Sequence, residues 1–274
     1  MRIVILAPSV YSETSCATAA HLAAIGHVPA GGIALPSLHS ATLFRKVGQW
    51  GAVRVLDYAR AKLIPRGNHS PTSLVNPHLD VFLQHGSEIF HSLREVGSFY
   101  GFPVALCNDQ NAASISRLRD WSPDLIIFTG GEILRPPLLE IPRLGVLNLH
   151  LGLLPEIRGM SSPEWSLLTG VPVGITIHYM NAGVDTGPVL KRCEFNGVGS
   201  CESLSDLRNR LIAFGIEKVA EAVCALAHGT ISATPQSDLD QDNQFFVMHQ
   251  WLQARASERL HQNAPGVAVE AVHE

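Results

Sequence analysis

Asn148 and His150 stand one residue apart at the end of a short apolar run, LGVLNLH, and a carboxylate, Asp185, follows on a glycine-containing loop after the apolar segment GITIHYM. An amide can donate to an oxygen on which negative charge develops, an imidazole can take or give a proton near neutral pH, and a carboxylate can hold that imidazole in one tautomer. Because strand side chains alternate between faces, Asn148 and His150 would emerge together while Leu147 and Leu149 point the other way. The run is too short for an ordinary helix and lies between Pro142 and the turn that ends in Pro155. It therefore predicts a buried strand with both polar residues near its carboxyl end, where open α/β sheets keep their chemistry. Taken alone, an Asn-x-His pair is equally open to a structural reading, with both groups satisfied by neighbouring backbone. Asp185, followed by the turn Thr186-Gly187-Pro188, is what favours a catalytic constellation.

Three blocks in order carry a family resemblance: N-x-H-x-G-x-LP-x-x-RG from Asn148, G-x-TIH from Gly174 and G-x-DTG-x-VL from Gly183. Together they resemble the 10-formyltetrahydrofolate-dependent formyltransferases, which include glycinamide ribonucleotide, methionyl-tRNA and sugar-nucleotide N-formyltransferases. The resemblance runs from about Ser122 to Leu190, reaches the first strand, and is vague over residues 36–100 and the C-terminus. It implies an α/β fold with a Rossmann-like, mostly parallel twisted sheet, helices on both faces and a helical C-terminal extension. It also implies that Asn148, His150 and Asp185 form the catalytic triad, with 10-formyltetrahydrofolate as co-substrate. By the same match, the loop after an expected strand at Asp124–Phe128 borders a folate pocket and reads the pterin ring mainly through backbone groups. Gly130, Gly131, Glu132, Ile133 and Leu134 are then cofactor-binding candidates, and Asn181, Ala182, Gly183 and Val184 would close the other side of the ring. Read without the resemblance, the two glycines either permit close approach to a flat ligand or make a tight strand-to-helix turn.

The elements that must position these residues can be read in order. MRIVILA is too short an apolar run for a signal peptide and predicts a first strand over Arg2–Ala7. Ser12 or Thr14 would cap an Ala-rich helix closed by Gly26, and Val28–Leu35 would be a second strand. No G-x-G-x-x-G follows the first strand, which disfavours NAD or FAD. Residues 41–63 suggest an interrupted helix carrying Arg45, Lys46, Arg54, Arg60 and Lys62, either a solvated face or a basic rim for an anionic acceptor or acidic lipid. Residues 64–78 read as a surface loop, Leu79–Val96 as a helix, Phe102–Cys107 as a strand and Asn111–Trp121 as a helix. Hydrophobic residues at three- and four-residue spacing from Leu204 to Val223, with Ser203 or Ser205 as cap and Gly229 as stop, predict an amphipathic helix. Residues 231–242 read as loop, Gln244–Gln262 as a last helix whose aromatics pack on the domain or a second subunit, and the end from Asn263 as frayed. This gives a catalytic domain over 1–230 and an extension over 231–274.

At 274 residues, 46% hydrophobic and 16% charged, the chain is long enough to bury a core. A formal charge of -4 gives no general attraction to phosphate polymers, so nucleic acid is not an expected partner. The five cysteines lack C-x-x-C spacing and are expected to be reduced. The 13 histidines are scattered, with no H-E-x-x-H, so no metal is expected, and His178 is read as a strand residue near the site with packing as its safer role. No apolar run approaches a membrane span, and the expected compartment is the cytoplasm. A homodimer is possible.

The expected activity is transfer of a formyl group to the amine of a small-molecule acceptor. Asn148 would donate to the oxyanion, a protonated His150 would add charge stabilisation and then move the proton, and Asp185 would orient the ring and favour its charged form. An amino sugar nucleotide is the first expected acceptor. Gly152, where many members have other residues, fits the sugar-modifying branch without fixing the acceptor. The phosphate loop of a glycinamide ribonucleotide enzyme is missing, and fewer than 90 residues remain after Leu190 for the OB-type domain of a methionyl-tRNA enzyme. The alternatives are an amino acid-derived amine in secondary metabolism, a methionyl-tRNA formyltransferase-like enzyme, a formyltetrahydrofolate hydrolase and a non-catalytic folate-binding protein.

Overall fold

The computed structural model describes residues 1–35, 76–107, 110, 112–131, 133–237 and 243–262. The expected basic helix over 41–63, most of the loop over 64–78, Glu132 and the tail from Asn263 lie outside the described residues. The chain is an α/β fold divided into two compact units, Met1–Asn148 and Leu149–Glu274.

In the first unit, β1 (Ile3–Ala7) is fully buried, as expected for a strand covered on both faces of a parallel sheet. Ser12 accepts a hydrogen bond from the Ser15 N–H and starts α1 (Glu13–Ala24), which buries Ala17, Ala19, Ala20 and Ala23. β2 (Gly31–Ala34) is shorter than the expected Val28–Leu35, and Val28 is exposed. β5 (Val104–Leu106), α4 (Ala112–Trp121), β6 (Leu125–Phe128) and β7 (Gly145–His150) follow the expected order. Within this unit the strands pair in parallel as β7-β6-β1-β2-β5. The register sets Phe128 beside Asn148, which places Asn148 at the carboxyl end of the sheet next to the glycine-rich exit of β6.

The expected helix over Leu79–Val96 is broken. A 3-10 turn (Pro77–Leu79) leads into the single-turn helix α2 (Asp80–Leu83), then an antiparallel pair β3 (Gln84–His85) and β4 (Glu88–Ile89), then α3 (Leu93–Tyr100). The break is local chemistry. Gly86 takes φ +63° in the two-residue loop Gly86-Ser87, and glycine at the first loop position is a favoured hairpin turn. Ser92 then caps the next helix by accepting from the Glu95 N–H.

In the second unit, β9 (Gly174–Tyr179) and β10 (Val189–Glu194) pair antiparallel. The helix α7 (Leu204–Ala227) starts at Ser203, as its spacing predicts, and packs Leu207, Leu211, Ile216, Val219 and Val223 inward. Part of the expected last helix is instead strand. β11 (Gln244–Phe245) pairs in parallel with β8 (Arg158–Gly159), and only Gln250–Gln262 is helical, as α8. That helix buries Ala256 and Leu260 and packs against α6 (Ser162–Thr169). Phe245 meets the Trp165 ring at 4.9 Å, whereas Phe246 and Trp251 are exposed. All five cysteines are free thiols. Among the described residues no helix is long and apolar enough to cross a membrane.

Candidate active site

β7 presents Asn148 and, two residues on, His150, which the period of a strand sends to the same side. Leu149 faces the other way, over Gly215 of α7, where a Cβ would collide with it. His150 is buried at 6% exposure. One ring nitrogen, Nε2, lies 2.7 Å from the Ile157 carbonyl oxygen and 3.4 Å from the Ser162 hydroxyl. The other, Nδ1, lies 3.5 Å from Asp185 Oδ2. A carbonyl only accepts, so Nε2 carries a proton, and Nδ1 is the nitrogen whose protonation state can change beside the carboxylate. Gly152 makes room for this ring. A Cβ there would stand 2.9 Å from His150 Nε2, so a side chain would push the imidazole off its partners.

Asp185 is held from several directions. Its Oδ1 lies 3.5 Å from His178 Nε2, and its Oδ2 accepts the Gly159 N–H at 2.9 Å. His178 is therefore part of the constellation and not only the packing residue expected from sequence. Its Nδ1 is 3.0 Å from the Tyr179 carbonyl oxygen, which aims Nε2 at the carboxylate. On the same face of β9, Thr176 donates to the Gly152 carbonyl at 2.7 Å and accepts from the Leu154 N–H at 3.0 Å, fixing the turn that follows His150. The T-x-H spacing on a strand was the available signal for both residues.

Burial pushes the His150 imidazole below its ordinary pKa. The Asp185 charge and the Ile157 carbonyl oppose that shift without reversing it, and His178 adds to it. At Asp185 burial opposes ionisation, but His178, His150 and the Gly159 amide outweigh it, and the carboxyl sits below its usual range. An ionised carboxylate thus stands beside a ring that burial biases toward its neutral form. Such a ring can accept a proton and is then stabilised by the adjacent negative charge.

In the first unit, Gly130 and Gly131 follow β6 with φ of +110° and +140°. Ile133 is 84% exposed and Leu134 is buried. Gln110, which sequence reasoning did not select, bridges this loop by donating to the Ile133 carbonyl at 2.9 Å and accepting the Arg135 N–H at 2.8 Å. In the second unit, Asn181 ties its own loop by accepting from the Gly183 N–H at 3.1 Å and the Thr186 hydroxyl at 2.7 Å. Val184 is exposed. Among the described residues no group of three or more His, Cys, Asp or Glu could hold a metal ion.

A sequence model of the family described as formyl transferase matches residues 94–223. Methionyl-tRNA formyltransferase from Geobacter metallireducens is 35% identical over 149 residues, which cover 53% of this chain and 48% of that protein. The enzyme of that name from Pseudomonas paraeruginosa is 36% identical over 138 residues, 50% of this chain and 43% of its own. The chain thus spans about half the length of the curated relatives it matches. Among solved structures, glycinamide ribonucleotide transformylase 1 from Symbiobacterium toebii superposes with a TM-score of 0.54 at 19% identity, covering 86% of this chain and 94% of its own. A sugar N-formyltransferase from Shewanella sp FDAARGOS_354 superposes with a TM-score of 0.55 at 12% identity, covering 95% and 87%. These two likenesses are of fold.

Proposed function

We propose that the chain, whose residues 94–223 match the formyl transferase family model, moves a formyl group from 10-formyltetrahydrofolate to an acceptor amine. The observation that carries this reading is the buried His150 ring set against an Asp185 carboxylate that itself lies between two imidazoles. The co-substrate supplies an activated formyl group on N10. The fit rests on the β6 exit, where two glycines, an exposed Ile133 and backbone groups held by Gln110 offer a surface suited to a flat heterocycle. Gly130 to Leu134 and Asn181 to Val184 are the residues assigned to it.

Asn148 offers its amide N–H to the formyl oxygen as negative charge develops there, an interaction worth about 10²–10³-fold in comparable sites. His150, neutral at rest, takes the proton from the attacking amine, directly or through water, and returns it to the departing N10. Asp185 keeps the ring in place and stabilises it while it is charged. Positioned proton transfer of this kind contributes about 10²–10⁴-fold.

Two acceptors stand at the front. Methionyl-tRNA is the first to test, because the curated relatives carry that name. An amino sugar nucleotide is the second reading, supported by the net charge of -4, which gives no general attraction to a polyanion. The test incubates the full chain with 10-formyltetrahydrofolate and each acceptor and follows release of tetrahydrofolate. Release that depends on the amine supports transfer, release without an amine supports hydrolysis, and binding without release supports a sensor. His150→Ala is expected to keep folate binding while turnover falls by about 10²-fold or more. Full turnover in that variant would refute the assignment.

A further inference from the structure

The carboxylate that faces both histidines hangs from an unusual backbone. Asp185 takes φ +53°, a left-handed conformation that residues with side chains adopt only where their surroundings hold them. Asn181 secures the start of this loop. Its other end is secured from far along the chain. Gln236 Nε2 donates one hydrogen to the Asp185 carbonyl at 2.9 Å and the other to the Gly187 carbonyl at 2.7 Å. Both hydrogens of a single amide are thus used on the two carbonyls that flank Thr186. The segment bearing Gln236 is itself anchored. Thr234 and Val189 exchange backbone hydrogen bonds of 2.8 Å in both directions, which lays residues 234–236 along the end of β10. The amide orientation is set by chemistry, since the opposite one would turn its oxygen onto two carbonyl oxygens. Its Oε1 is buried without a hydrogen-bond donor among the described residues, so the side chain serves the donor end alone.

We infer that Gln236 is a positioning residue, which holds the Asp185 loop so that the carboxylate stays between His150 and His178. The inference rests on the proposed role of that pair in proton transfer, and it assigns a task to a segment with no chemical motif. Nothing in the polar run around Gln236 marks it, because its partners are backbone atoms 51 and 49 residues away.

Two variants of the full chain, Gln236→Ala and Gln236→Glu, test it with two readouts. The first needs no activity: the His150 ring, which faces Asp185 and His178, is titrated by NMR of histidine-labelled protein. Both variants are expected to move that titration from the wild-type position while thermal unfolding stays within a few degrees. The second readout is steady-state release of tetrahydrofolate from 10-formyltetrahydrofolate, with methionyl-tRNA and an amino sugar nucleotide as separate probes. Here kcat is expected to fall about tenfold or more with KM for 10-formyltetrahydrofolate changed less than about twofold, on the scale that a misplacement of ~1 Å produces. In Gln236→Glu the ratio to wild type should rise as pH is lowered from about 8 to about 5.5, because a protonated carboxyl regains one donor. A purely structural role would not give that recovery. An unmoved His150 titration in both variants overturns the inference, whatever happens to turnover. A wild-type chain that releases no tetrahydrofolate sinks the proposed function but leaves the titration to decide on Gln236.

Discussion

The Asp185 carboxylate takes one imidazole on each oxygen, His150 on Oδ2 and His178 on Oδ1, and that division governs how the site responds to acid. His150 is held below its ordinary value of 6.5, so below that pH the unfolded chain binds protons that the folded chain refuses. Stability therefore falls as the medium becomes more acidic. Asp185 acts in the same direction: its folded pKa lies below the ordinary 3.8, so its contribution is present above that value and is lost as pH falls through the folded one. Turnover should be level above pH 6.5 and decline on an acid limb below it, as the ring proposed to accept a proton becomes occupied. In Asp185→Asn the charge that raises the His150 pKa is gone. The limb should move to lower pH while the plateau falls by about 10²-fold, both read from a pH profile of kcat. An unmoved limb would mean that another group titrates. The sequence made the approach of His150 and Asp185 legible because their motif spacing is compact. His178 was visible but assigned to packing, because its partner is a carboxylate seven residues away across a loop, and loop geometry cannot be read from spacing.

Strand alternation is what turns residue types into placed groups, and β9 does this twice by presenting Thr176 to the turn after His150 and His178 to Asp185. Thr176 is fully buried and satisfies one donor and one acceptor of that turn. Thr176→Val keeps the shape but strands the Leu154 N–H and the Gly152 carbonyl. It should cost about 1–3 kcal/mol in denaturant unfolding. Turnover should fall as well, since Gly152 abuts the His150 ring. Unchanged stability would show that the turn finds other partners. Elements with a clear period, such as LGVLNLH, GITIHYM and the run from Leu204, were readable to within a few residues. The failures were of another kind. The Gly86-Ser87 pair between Leu79 and Val96 makes a hairpin where a helix is expected, because a two-residue glycine loop reverses the chain. The start of the last expected helix differs because Gln244 and Phe245 are drawn into a strand by Arg158 and Gly159, a pairing that no local pattern announces.

At the scale of the molecule, the stretch similar to the formyl transferase family model, residues 94–223, takes in parts of both compact units. The acceptor was the least legible part, because the five basic side chains from Arg45 to Lys62 that suggested an anionic one lie outside the described residues, and net charge is a blunt guide. The second unit makes a firmer statement about its last segment. The Met160 N–H donates to the Phe245 carbonyl at 3.0 Å, the Trp165 indole to the Phe246 carbonyl at 2.9 Å, and the Met248 N–H to the Ser161 hydroxyl at 3.1 Å. A chain ending at Ser237 should unfold at lower temperature and lose about tenfold or more of kcat, measured by calorimetry and tetrahydrofolate release. A truncated protein matching the full one in both would refute that coupling. The parallel pairing of β8 with β11 has a genetic corollary. Gly159 gives its N–H to Asp185 while the stretch it belongs to is zipped along Phe245. A frameshift that rewrites only the codons after Ser237 would leave Asn148, His150 and Asp185 spelled correctly and still weaken the gene product.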